Sequence, residues 1–153
     1  HAKSDWSSNI SDFERTLNEK GLRDAQKMGQ FLKSNEIIPD LIISSGAKRA
    51  FSTAELISQS LDHNDKIVVK NEIYNAASDV IKNVVNNIEE SYNNVFLVAH
   101  NPGLSNLIDN LSGQYIDLQT CCVAILELSV ENWNQIIKDT AILKEHYNPK
   151  TIV

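Results

Sequence analysis

Along the chain, hydrophobic positions switch repeatedly between a helical period and short unbroken runs of strand length. Leu22, Ala25, Met28 and Leu32 recur at three- and four-residue spacing behind Asn18. This predicts a helix to about residue 34 with Asn18 as its N-cap. Pro39 and Asp40 mark a turn, and Leu41 to Ile43 read as a short buried strand running into Ser44-Ser45-Gly46. Ala50, Ala54, Ile57 and Leu61 share one face of a second helix. Residues 62–65 form a loop, and Ile67 to Val69 a further strand. Val80, Val84 and Ile88, with Ile81 and Val85 beside them, predict a third helix. Val95 to Ala99 is a nearly all-apolar strand closed by His100-Asn101-Pro102-Gly103. Leu104, Leu107, Ile108 and Leu111 predict a fourth helix that Gly113 ends, and a last strand runs from about Cys122 to Leu128. The residues beyond read as a polar tail carrying His146, with Trp133 and Tyr147 as packing groups.

Apolar strands without alternation are buried on both faces, as in a parallel sheet covered by helices. The expected fold is therefore α/β: a three-layer αβα sandwich around a mostly parallel central sheet, one domain over residues 1–153. The chain opens HAKSDW, with no Met and no apolar lead-in, so residues are expected upstream of His1.

Composition narrows the function classes. The 153 residues suit one domain, and 42% hydrophobic with 22% charged is ordinary globular usage. No apolar run approaches the ~20 residues of a membrane helix, so no membrane partner is expected. A net charge of −6 argues against a general nucleic-acid binder, which needs clustered excess Lys and Arg. The two cysteines, Cys121 and Cys122, are adjacent within an apolar run and read as reduced core residues, which fits a cytoplasmic setting. No Cys, His or carboxylate cluster has metal-ligand spacing, and Ser44-Ser45-Gly46 lacks the Gly-Lys-Ser/Thr ending of a nucleotide loop. No metal or other cofactor is expected.

In open α/β sheets ligands bind beyond the carboxyl ends of the strands. The strand at 41–43 delivers Ser44, Ser45 and, one helical turn on, Arg49; the strand at 95–99 delivers His100 and Asn101. The helices that follow point free N–H groups at the same rim, which favours an anion such as phosphate. His1 joins this rim if an apolar strand lies just upstream of it. A neutral imidazole is a good nucleophile toward phosphorus, and Arg matches phosphoryl oxygens. Singly, His100 reads as a structural residue and Arg49 as a solvated one; their shared placement is what points to function.

Three segments in order carry a family resemblance: His1-Ala2-Lys3-Ser4-Asp5-Trp6, then Ser44-Ser45-Gly46-Ala47-Lys48-Arg49-Ala50 running on to Thr53-Ala54-Glu55, and Val98-Ala99-His100-Asn101-Pro102-Gly103. Leu17-Asn18-Glu19-Lys20-Gly21, where the first helix opens, fits between the first two. Over roughly residues 1–130 the chain resembles the histidine phosphatase superfamily, of phosphoglycerate mutase-like fold, and within it the SixA-type phosphohistidine phosphatases. The resemblance implies a hydrolase in which His1 attacks phosphorus and carries a transient phosphoryl group, while Arg49 and His100 hold the equatorial oxygens. Ser4, Ser7 and Asn101 are candidate substrate-binding groups by position, and Lys3 a solvated rim charge. His1 must be neutral to attack, so activity should fall as the imidazole protonates.

Two departures matter. The family motif places an Arg, preceded by a strand, directly before the nucleophile, and the given sequence starts after that point. Many relatives also carry a carboxylic acid after the third strand to protonate the leaving oxygen. The candidates here, Glu72 and Asp79, sit in no convincing motif and read equally as surface charges. A weak proton donor tilts the substrate toward phosphohistidine, whose imidazole leaves more readily than an alkoxide. The resemblance implies a phosphorylated protein as partner, within a bacterial phosphorelay. That fits the absence of a long insertion able to lid a small metabolite. The alternatives are a phosphatase for small phosphate esters, with Glu72 or Asp79 as acid, and a module that binds phosphorylated partners without turnover. A mutase role is disfavoured, since its added capping elements are absent.

Overall fold

Asn18 caps the first helix through its side chain, whose Oδ1 accepts the N–H of Gly21 at 2.8 Å. The computed structural model describes residues 1–153. Its helices are α1 (Glu19–Ser34), α2 (Lys48–Ser60), α3 (Ser78–Asn86) and α4 (Gly103–Ser112). Its strands are β1 (Leu41–Ser44), β2 (Val68–Val69), β3 (Val95–Val98), β4 (Val123–Leu128) and β5 (Ala141–Tyr147). Gly113 closes α4 in the left-handed conformation, φ 69°, which costs a glycine nothing.

The strands form two groups. A parallel sheet runs in the order β2-β1-β3, with Ile43 opposite Val68 on one side and Leu97 on the other. β4 and β5 form an antiparallel pair whose register shifts between Ile125 and Leu126. Apolar side chains go to both faces. Leu41, Ile43, Val95 and Leu97 pack with Ile81 of α3 and with Leu107 and Leu111 of α4. Phe96 turns the other way, against a cluster of Ala25, Met28 and Leu32 from α1 and Ile57 from α2. The result is the expected layering of helix, sheet and helix, in a mixed rather than wholly parallel arrangement. Ile81 is fully buried, so truncating it to Ala would cost about 2–5 kcal/mol.

Three local expectations need correction. The residues after Leu128 are not a polar tail. They return as β5, where His146 pairs with Ala124, and Ala141 and Leu143 point inward among exposed Lys144, Glu145 and His146. The third helix stops at Asn86 and buries Ile81 rather than centring on Val80. β3 was expected to be buried on both faces, but all four of its residues are half-buried.

The last point has a geometric cause. β3 pairs only with β1, and β4 only with β5. Their free edges face one another across a groove of about 770 Å³ whose lining includes Val95, Leu97, Ala99, Val123 and Ile125. His1 closes one end of it: Cys121 N–H donates to the His1 carbonyl at 3.0 Å, and the His1 amino group donates to the Ala99 carbonyl at 3.2 Å. No helix is long and apolar enough to cross a membrane.

Candidate active site

The chain after His1 is fastened to α2. Ala2 N–H donates to Thr53 Oγ1 at 2.9 Å, and that hydroxyl donates to the Arg49 carbonyl one turn back, at 2.7 Å. Close approach of α1 helps hold the same segment: a Cβ on Gly21 would stand 2.1 Å from the Lys3 carbonyl oxygen. His1 and Arg49 are thereby brought together from positions 48 residues apart.

The His1 ring has a defined tautomer. Nδ1 lies 2.7 Å from the Ala2 carbonyl, which can only accept, so Nδ1 carries the proton. Nε2 is left with its lone pair, and Arg49 Nε donates to it at 3.2 Å. Arg49 is 2% exposed. Its other two nitrogens bond one residue, Asp12: one donates to the Asp12 carbonyl at 2.6 Å and one to its carboxylate at 3.0 Å. The His100 ring stands edge-on to His1, with centroids 5.1 Å apart.

His100 is 3% exposed. Its Nε2 is 2.8 Å from Ser45 Oγ, which also accepts the Ala47 N–H at 3.2 Å. Its Nδ1 is buried and has no protein partner. Burial pushes the imidazole pKa down to about 3, and the nearby Arg49 charge acts in the same direction. His100 is therefore neutral at pH 7. A buried polar nitrogen without a partner normally marks a place where a ligand or water belongs.

Asp12 and Tyr74 complete the cluster, and neither was singled out in the sequence. The Asp12 carboxylate accepts from Tyr74 Oη, from Arg15 at 2.7 Å and from Arg49. These bonds, Tyr74's first and then Arg15's, hold its carboxyl well below the usual range, and Asp12 in turn raises the Tyr74 phenol. The Tyr74 ring packs edge-on against His100 at 5.5 Å and against Phe13 at 5.1 Å.

The other sequence candidates make no hydrogen bond to His1, Arg49 or His100. The Ser4 hydroxyl is buried and accepts from Arg15. Ser7 is exposed, its hydroxyl donating to Asp5 at 2.7 Å. Asn101 accepts the Ser105 N–H at 3.1 Å and donates to the Leu118 carbonyl at 2.7 Å, which ties down the start of α4. Glu72 is exposed and lines a separate cavity of about 440 Å³ with Val68, Val80 and Tyr92. Asp79 is exposed in the first turn of α3. Neither acid bonds His1, Arg49 or His100. Lys3 is exposed. No group of three or more His, Cys, Asp or Glu side chains is arranged to hold a metal ion. Burial pushes the Cys121 thiol up to about 12, so it is no thiolate nucleophile.

Two imidazoles and a buried guanidinium thus converge on one point, the constellation expected for phosphoryl transfer. Residues 1–73 match the model of the histidine phosphatase superfamily, branch 1. Over 97% of its length the chain superposes on a solved structure assigned as the phosphohistidine phosphatase SixA of Agrobacterium tumefaciens, with TM-score 0.81, 27% identity and 94% of that chain covered. Over its first 73 residues the chain is thus similar to the histidine phosphatase superfamily, and its whole fold is similar to that of SixA. A structure assigned as an α-ribazole-5′-phosphate phosphatase of Escherichia coli shares the histidine phosphatase fold, with TM-score 0.69, 18% identity, and 95% of this chain and 93% of that one covered. Among curated proteins, a chloroplastic protein of Arabidopsis thaliana of uncharacterised function is 28% identical over 88% of this chain and 66% of its own length. The chain spans just under two thirds of the curated relatives it matches first, 66% and 65% of their lengths.

Proposed function

We propose that the chain is a phosphatase that works through a phosphohistidine intermediate on His1, and that its substrate is phosphohistidine presented by another protein. The observation that carries the mechanism is the unprotonated Nε2 of His1, faced by Arg49 and flanked by neutral His100. In the first step Nε2 attacks phosphorus, a P–Nε2 bond forms and the bond to the leaving group breaks. In the second, water attacks the same phosphorus, the P–Nε2 bond breaks and inorganic phosphate departs. Arg49 and the Nδ1 of His100 stabilise the equatorial oxygens as charge builds on them.

The substrate class rests on proton supply. An alkoxide leaving group needs a proton donor at the site. The carboxyl group in the cluster, Asp12, is held ionised by its three donors and has no proton to give. An imidazole leaving from phosphohistidine needs less, since its ring nitrogen takes a proton from solvent. The similarity to SixA of A. tumefaciens supports the same reading, and the role proposed with it is in a phosphorelay. A small phosphate ester is the second reading, favoured by the fold shared with the α-ribazole-5′-phosphate phosphatase.

Phosphate release from a phosphohistidine-bearing protein domain and from an aryl phosphate ester, with His1→Ala as control, separates the two. Fast loss from the protein with little from the ester supports the first reading, and the reverse supports the second. Binding of the phosphorylated domain without turnover of either substrate overturns both.

A further inference from the structure

Asp12 contacts Arg49 in a way that goes beyond neutralising a buried charge. A guanidinium carries five N–H groups in a rigid plane: two along its outer edge, two along the inner edge that includes Nε, and one beside the side-chain stem. Both terminal nitrogens of Arg49 are turned to Asp12, one to its carbonyl at 2.6 Å and one to its carboxylate at 3.0 Å. That occupies the outer edge. The inner edge keeps Nε, 3.2 Å from His1 Nε2, and an adjacent N–H. It therefore faces the point where phosphorus must approach.

Asp12 is itself fixed from several sides. Arg15 and Tyr74 hold its carboxylate, and the next residue is tied to the start of α2, with Lys48 N–H donating to the Phe13 carbonyl at 2.9 Å. A carboxylate competing with substrate for Arg49 would sit on the inner edge; this one sits behind it.

We propose that Asp12 is a positioning residue for Arg49: it clamps the outer edge of the guanidinium so that the inner edge stays turned to the reacting phosphoryl group. The inference rests on the phosphatase reading of the site but is testable by binding alone. Tyr74 and Arg15 act one step further out, by orienting the Asp12 carboxylate.

The test is titration calorimetry of inorganic phosphate into the wild-type chain, Asp12→Ala, Asp12→Asn and Tyr74→Phe, with kcat and KM on a phosphohistidine domain measured alongside. Asp12→Ala should weaken phosphate binding at least tenfold and lower kcat more than it raises KM. Asp12→Asn, which keeps an acceptor oxygen and the backbone contact, should recover part of both. Tyr74→Phe should show a smaller loss in the same direction. Phosphate binding that is unchanged or tighter in Asp12→Ala overturns the proposal, the tighter result marking Asp12 as a competing anion. If wild type binds phosphate without turnover while Asp12→Ala binds it weakly, the clamp stands and the phosphatase reading falls. A wild-type chain that binds no phosphate overturns both.

Discussion

Arg49 Nε donates to His1 Nε2 across 3.2 Å, so the resting site holds its cation directly against its nucleophilic lone pair. The proposed mechanism requires this contact to be exchanged. In the proposed reaction, as phosphorus reaches Nε2 the same N–H passes to a phosphoryl oxygen, where charge is growing. Arg49→Lys keeps a positive charge but loses the planar fork that serves Asp12 and the phosphoryl group at once. It should lower kcat by about two to three orders of magnitude, with a melting temperature close to wild type. Steady-state kinetics with a thermal melt checks this, and a kcat within about threefold of wild type would rule out the two-edged role.

His100 makes stability depend on pH in a calculable direction. Its folded pKa is about 3 against 6.5 for a free imidazole. Between those values the unfolded chain binds a proton that the folded chain does not. Stability from this group is therefore complete above about pH 6.5 and falls as pH drops toward 3, by up to about 1.4 kcal/mol per pH unit. Asp12, whose carboxyl is also depressed, adds to the loss as pH falls through the carboxylate range. Urea unfolding at pH 7, 6, 5 and 4 measures the slope. His100→Asn should flatten the part between pH 6.5 and 4.5, and an unchanged slope there would show that His100 does not supply it.

Ser45 holds His100 by one side-chain bond. Ser45→Ala would leave both ring nitrogens of a buried imidazole without a protein partner, at about 1–3 kcal/mol in stability. The ring would also be free to change tautomer, so kcat should fall as well. Denaturant melts and kinetics on the same variant check the pair of effects, and a loss of stability with wild-type kcat would confine Ser45 to a structural role.

What was readable in advance, and what was not, follows from how each residue is carried. Arg49 and His100 follow the unbroken apolar runs at 41–43 and 95–99, so their placement on one rim could be inferred from the strands that deliver them. Asp12 lies in a segment with no period at all, between Ser7 and Thr16, and reaches the site only because Phe13 is tied to Lys48 across the fold. Tyr74 shows a different failure. An acid was sought after β2, and Glu72 has the right chemistry. The 3₁₀ turn at Asn71–Ile73 instead sends Glu72 outward, and it is Tyr74 that meets His100. β5 went unread because Lys144, Glu145 and His146 interrupt its alternation on the exposed face.

The proposed reaction rests on a bond between His1 Nε2 and phosphorus. Rapid mixing with a phosphohistidine domain, quenching at alkaline pH to preserve P–N bonds, and peptide mass spectrometry tests it directly. A phosphoryl group should appear on the His1 peptide within one turnover and be absent in His1→Ala. Label on His100 or on any other residue, or phosphate release by a chain that never carries it, would contradict the account.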